Sequence, residues 1–323
     1  MRRTVGVTLT GLGAFLLVLA LMSYFFLPGQ VILFPLNEYS VTTLTGTGVT
    51  YFSTASISEV TGATVRAVAT TQGNVSSGTG STAIWTTQTG IFDITHGTPG
   101  APISYPTQTL AFNRRTGALE NCCGAEVGTS RPHFTGLGDV WPIGTQKKTY
   151  EVFNTTVNQA TPAVYSGTAT VDGLSTYVFV QHITNMKFGT VSLPGSLVNM
   201  SQAEVTLPEY LTATYTYDVD PGSGAPVKQI QDSSETLENP STGSTVLTLF
   251  SGTLTTTPGS VRAAVNTASS YDTDISIVQS IGPLVAGLVG IVLLVLGVLL
   301  LINSEGPDDY EYEDDDEEVG VEA

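Results

Sequence analysis

Leu211-Thr212-Ala213-Thr214-Tyr215-Thr216-Tyr217-Asp218-Val219 alternates without a break, every odd position apolar or aromatic and every even one polar. A period of two marks a strand with one face on a core and the other in water. Asp220-Pro221-Gly222-Ser223-Gly224 follows at once and reads as a turn. The segment therefore predicts an antiparallel sheet, and its neighbours extend it. Tyr177–His182 and Thr245–Phe250 are apolar enough to predict strands buried on both faces. Ala63–Thr70, Ala83–Ile94, Gln108–Phe112 and Tyr150–Phe153 are further candidates. Turns at Arg115-Thr116-Gly117 and Val171-Asp172-Gly173 separate them, and the abundant Thr is β-branched and favours strands. One hairpin plan recurs: Ala111–Ala118 and Tyr215–Pro226 each run from an aromatic strand end through Asn or Asp to Gly-Ala. Val261–Ser269, rich in Ala, breaks the pattern and predicts a helix.

Outward of this β region lie two long apolar runs without charge, Val5–Leu27 and Ile277–Ile302. About 20 such residues cross a bilayer as a helix, so each run can span once. No Ala-x-Ala site follows the first, whose apolar stretch continues through Tyr24-Phe25-Phe26-Leu27, and it reads as a retained anchor rather than a cleaved signal. Arg2 and Arg3 precede it, whereas Pro28–Val65 has neither Lys nor Arg. That asymmetry predicts a cytoplasmic N-terminus, 1–4, and a β-rich domain, 28–276, outside the cell. The second span returns the chain to a cytoplasmic tail, 303–323. The fold class expected is mainly β: a large antiparallel ectodomain flanked by two transmembrane α-helices.

Gly282, Ala286 and Gly290 recur at every fourth residue of the second span, and Gly6, Thr10 and Ala14 do so in the first. Small residues at this spacing let helices approach closely. The expectation is packing of the two spans on each other, or pairing of two copies in a homo-oligomer.

The net charge of −17 divides unevenly. The tail supplies −11 and no base, the ectodomain −8, and the N-terminus +2. No basic footprint remains for DNA or RNA. The tail, with Glu313-Asp314-Asp315-Asp316-Glu317-Glu318, is expected to be disordered because like charges repel and few apolar groups can be buried.

Cys122 and Cys123 are adjacent and are the only cysteines. Outside the cell they could form a vicinal disulfide, in an eight-membered ring whose α-carbons stand closer than in ordinary bridges. Two packed thiols, or a bridge between chains, stay open. Counted from Asp218 as a calcium loop, position 12 is Gln229 rather than Glu, so a hairpin explains the acids better. His96, His133 and His182 have no metal-ligand spacing. No nucleophile elbow, phosphate loop or dinucleotide fingerprint appears. No metal, cofactor or enzyme activity is expected, and Trp85, Trp141 and the tyrosines of Tyr210–Tyr217 are expected in the core.

Several stretches together resemble the PorA family of actinobacterial membrane proteins, also called the DUF3068 domain. They are Tyr39–Gly48, Asn113-Arg114-Arg115-Thr116-Gly117, Asn121-Cys122-Cys123-Gly124, Thr145-Gln146-Lys147-Lys148-Thr149-Tyr150, Val171-Asp172-Gly173-Leu174 and Pro194-Gly195-Ser196-Leu197. The resemblance covers most of the ectodomain and both spans, and implies a cell-membrane protein with an outward domain. The strands themselves carry no lipid-facing apolar band, which a membrane β-barrel would need. The partners expected are the bilayer and either a lipid or another apolar envelope molecule held by the β domain. The alternative is a scaffold meeting envelope proteins without a small ligand.

Overall fold

The computed structural model describes residues 2–97 and 100–303. The acidic segment read as a disordered tail lies, from residue 304 on, outside the described residues. Contacts divide the chain into a helical unit and a β body that spans Val31–Ile275.

The helical unit contains α1, Arg2–Phe25, and the last helix, Gly282–Ile302, which is entered through a π turn at Ile277–Ile281. Its two long helices pack on each other. Their buried residues are Gly6, Gly13 and Ala20 on one side and Pro283, Gly290 and Gly297 on the other. Both sets recur at every seventh residue, the spacing that keeps one seam facing its partner when helices coil left-handedly. No side chain separates the backbones there: a β-carbon on Gly13 would lie 2.6 Å from Leu294 N and 2.7 Å from Gly290 O. Of the stripe read from sequence, Gly290 enters the contact, Ala286 is half-buried and Gly282 is exposed. The seam is a heptad rather than a four-residue repeat, because contact follows 3.5 residues per turn over this length.

The body begins beyond a short helix α2, Leu27–Val31. Its strands are β1 (Tyr39–Ser53), β2 (Ser58–Gly73), β3 (Thr82–Asp93), β4 (Thr107–Asn113), β5 (Glu126–Val127) and β6 (Tyr150–Asn154). The later ones are β7 (Gln159–Val171), β8 (Leu174–Pro194), β9 (Glu204–Val219), β10 (Pro226–Glu238) and β11 (Thr245–Thr256). They form one sheet in the order β5-β4-β3-β2-β1-β11-β10-β9-β8-β7-β6. Every neighbouring pair is antiparallel. The chain is thus mainly β with two apolar helices long enough to cross a membrane. Helix α3, Pro258–Ser276, follows β11 and contains the predicted Ala-rich helix. The last helix is α4.

The alternation in β9 sets the inner face. Leu211, Ala213, Tyr215, Tyr217 and Val219 are buried in one cluster with Phe179 and Ile183 of β8, Tyr150 and Val152 of β6, and Trp141. Opposite them on β10 stand Glu235, Ser233, Gln231 and Gln229, which face the same way because opposed residues of an antiparallel pair share a face. On β11, Phe250, Gly252 and Leu254 continue that face, and Leu254 packs with Leu44, Val49, Tyr51, Val65 and Ala67 in a second cluster. Two expectations need correction. In Tyr177–His182, Val178 and Val180 are half-buried and His182 is exposed; in Thr245–Phe250, Thr245 is exposed and the rest are half-buried. In Tyr177–His182 a buried face alternates with a more open one, whereas in Thr245–Phe250 no residue is fully buried and Val246, Leu247 and Leu249 pack in part against Leu193, Val198, Leu207 and Leu237.

Candidate functional site

β4, next to one end of the sheet, is joined to β6 at the other. After β4 the chain turns at Asn113–Gly117 and comes back beside it, with Leu119 bridged to Phe112. The Leu119 N–H donates to Gly136 O at 2.8 Å, and Ala118 is bridged to Leu137. Leu137 then reaches the opposite edge: its N–H donates to Glu151 O at 2.8 Å, and the Phe153 N–H donates to Leu137 O at 2.8 Å. Two short segments, 118–120 and 136–138, therefore close the hydrogen-bonded circuit from β4 to β6. Closure removes the open edges that would otherwise invite pairing with other chains.

The two cysteines sit on this seam. Residues 118–127 run back along β4 and bulge at 121–125 before β5 resumes the pairing at Glu126 and Val127. Cys122 and Cys123 are bridged within the bulge, their α-carbons 3.8 Å apart. Cys123 and Gly124 adopt φ of 61° and 82°, the left-handed region. Cys123 is exposed, whereas Cys122 is half-buried and packs against the cluster of Ile84, Leu110, Phe134 and Phe153. Asn121 fixes the opposite wall: its Nδ2 donates to Phe134 O at 2.8 Å and its Oδ1 accepts the Phe134 N–H at 2.7 Å. Between these walls lies an open cleft of about 450 Å³, also lined by Arg131, Pro132 and His133. Arg131 Nε is 3.5 Å from Glu126 Oε2. Sequence pointed to the cysteines, with Asn121 and Gly124 beside them and His133 apart, but not to their meeting in one cleft. Only the run Arg131-Pro132-His133-Phe134, dense in functional side chains, offered a signal.

A second arrangement lies inside the body. The repeated hairpin proves to be two turns gripping one segment. Asn113 Oδ1 accepts the N–H groups of Arg115 and Thr116 at 3.0 and 3.1 Å, and Asp220 Oδ2 accepts the Ser223 N–H at 2.7 Å. The acid equivalent to Asn113 is thus Asp220, whereas Asp218 pairs with Lys228 at 3.7 Å. Gly117 and Gly224 have φ of 67° and 75°, and a β-carbon on either would stand 2.7 Å from Val140 O or Pro142 O. Between them, the Trp141 N–H donates to Gly224 O at 2.8 Å, Ile143 N–H to Arg115 O at 3.1 Å, and Thr145 N–H to Pro221 O at 2.8 Å.

This strap carries Asp139 and Trp141. Gln108 Nε2 donates to Asp139 Oδ1 at 3.0 Å and Thr87 Oγ1 to its Oδ2 at 3.4 Å. Burial pushes the Asp139 carboxyl up to about 6, against the pull of those two donors. Trp141 is buried between Tyr217, ring centroids 4.9 Å apart, and Phe179, at 5.8 Å. Its indole N–H has no acceptor among the described residues. Below it Gln181 is fully buried: its Nε2 donates to Val152 O and Thr161 Oγ1, both at 2.8 Å, and its Oε1 accepts the Tyr217 hydroxyl at 3.0 Å. Burial also raises the Tyr217 hydroxyl strongly.

The inner wall is two-sided. β6, β8 and β9 contribute the apolar cluster, while Gln229, Gln231, Ser233 and Glu235 of β10 and Thr71 and Thr87 of β2 and β3 remain half-buried, within reach of water. Trp85 is buried with Phe34 and Phe112, and Trp141 with the tyrosines. His96, His133 and His182 belong to separate places, and among the described residues no group of His, Cys, Asp or Glu forms a metal-binding set.

A protein-family model described as Porin PorA matches residues 5–299. The chain belongs to that family. No curated protein matches it.

Proposed function

For this member of the PorA family, an envelope membrane protein, we propose a β body held at the membrane by two helices and binding an amphiphilic envelope molecule such as a lipid. Membership and the apolar helices support the membrane setting. The outward faces of the strands carry Arg66, Thr212, Thr214, Thr216 and Asp232, which suit water and not hydrocarbon. The helices therefore provide the anchorage, with the N-terminus and the acidic tail in the cytoplasm and the body outside, following Arg2 and Arg3.

One observation carries the ligand reading: the buried Trp141 N–H without an acceptor among the described residues, in an aromatic wall flanked on β10 by the half-buried Gln229, Gln231, Ser233 and Glu235. An unpaired buried donor costs about 1–3 kcal/mol, and a ligand oxygen would relieve it. A molecule with an apolar part for the β8–β9 wall and a polar part for β10 fits such a lining. We assign no catalytic role; the half-buried Asp139 carboxyl, held by the Gln108 amide and the Thr87 hydroxyl, is read as part of the polar lining.

The test is mass spectrometry of the full-length protein gently extracted from its own envelope. The expected result is one envelope amphiphile at near-stoichiometric amount, reduced at least about fivefold in Trp141→Phe, which keeps an aromatic ring and removes the donor. Recovery of the wild type with only bulk lipid at detergent-like ratios would sink the ligand reading. It would leave the scaffold alternative, in which the body meets envelope proteins directly.

A further inference from the structure

We infer that the cleft over Cys122 and Cys123 is a thiol–disulfide exchange site for a low-molecular-weight thiol, with Cys123 the sulfur attacked and Cys122 the sulfur that leaves. This goes beyond the ligand reading and is independent of it. The two sulfurs are not equivalent. Cys123 is exposed to the cleft, whereas Cys122 is tucked against Leu110 and Phe134. Both cysteines line the cleft, and Cys123 is the more open of the two to an incoming thiol. Adjacency also holds the α-carbons at 3.8 Å, short of the roughly 4.4–6.8 Å of ordinary bridges, and exposed or constrained disulfides are the exchangeable ones. The cleft, about 450 Å³, is large enough for a small thiol.

The exchange balances as follows. A thiolate attacks Cys123 Sγ and forms a mixed disulfide with it. The bond between the cysteines breaks, and its electron pair leaves on Cys122 Sγ, which takes a proton from water. A second thiol attacking the outer sulfur of that adduct releases the symmetric small disulfide and leaves both cysteines reduced. The small thiol is the reductant, and two of its molecules are oxidised for each bridge opened.

The site lies where opening has a structural effect. The bulge that the bridge closes holds Asn121, whose amide clamps Phe134. Phe134 leads directly into Gly136 and Leu137, which complete the seam to β6. Exchange releases the bulge, so protection of the seam amides falls while the strands opposite are unaffected.

Glutathione is the probe, applied to the full-length protein in detergent, followed by rapid alkylation and peptide mapping. The expected product is one adduct, on Cys123, with Cys122 free. In single variants, Cys123 of Cys122→Ser alkylates at least about tenfold faster than Cys122 of Cys123→Ser, provided both variants keep the native circular dichroism. Hydrogen exchange at Asn121–Leu137 rises with the adduct. Three results would each overturn the inference: isolation from the envelope with both thiols free, a bridge that glutathione leaves intact while dithiothreitol in denaturant opens it, or an adduct mainly on Cys122.

Discussion

At the residue scale, the body is specified by a few polar side chains placed where none would be expected. Gln181 is the clearest. It sits in Tyr177–His182 among Val178, Phe179 and Val180, yet it is fully buried while its neighbour His182 is exposed. Its amide serves Val152 O, Thr161 Oγ1 and the Tyr217 hydroxyl at once. Removing it strands partners in a region of low dielectric, where an unmet hydrogen bond costs about 1–3 kcal/mol. Gln181→Leu is therefore expected to destabilise the body by at least that amount in urea unfolding. Tyr217→Phe is expected to cost less, and the double variant less than the sum, with a coupling of about 0.5 kcal/mol or more. Strict additivity would show that the pair does not act as a unit. Sequence made Tyr217 legible, because alternation fixed its side of β9. Gln181 was not legible, because two polar residues end a run of apolar ones and only the register with β9 decides which of them turns inward.

At the scale of elements, legibility followed the contrast between faces. β9 has a core on one side and water on the other, so its period was plain. β1 and β10 carry Thr, Ser, Gly or Gln on both faces, and the wet inner wall erased the alternation that would have announced them. The strap at 139–145 gave no signal at all, since its partners lie in two distant turns. Helix α3 was legible from Ala263, Ala264 and Ala268, but its docking was not. Val261, Val265 and Ala268 pack on Val171 and Val227. Asp272 abuts the Asp220–Gly224 turn, where a β-carbon on Gly222 would lie 2.7 Å from its carboxyl carbon. Burial, and then the neighbouring Asp220 carboxyl, push Asp272 up to about 6. The sign follows from linkage. Between the ordinary 3.8 and about 6 the folded body binds more protons than the unfolded chain, so stability falls as pH rises through that window. Below about pH 4 both states are protonated and the effect vanishes; above 6 it is complete. Asp272→Asn is thus expected to raise the melting temperature at pH 7.5 and to leave it unchanged at pH 3.5. Because Asp272 is only partly buried, water screens the interaction and the gain is modest. An equal gain at both pH values would assign the effect to packing instead of charge.

At the scale of the whole molecule, the helical pair and the body are separate compact units with different means of stability. The helices rest on backbone contact along small residues, which tolerates no bulk. The body rests on a circuit of hydrogen bonds whose weakest link is its seam, because two segments of a few residues there replace full strands. Gly136 is the point to test. Its φ of 75° is unfavourable for any side chain, and a β-carbon would stand 2.5 Å from Glu151 O and 2.9 Å from its carbonyl carbon. The backbone conformation alone costs a non-glycine residue about 1–3 kcal/mol. The clash also pushes β6 from Leu137, the residue that joins both edges. Gly136→Val is therefore expected to lower the stability of the body by at least that range. Amide protection should be lost first at Leu119, Leu137 and Phe153, while β8 and β9, paired along most of their length, keep theirs. Extraction from the membrane should be unchanged, since no part of α1 or α4 takes part in the seam. Loss of protection spread evenly over all strands would mean that the circuit opens only by global unfolding, and that the seam carries no local freedom.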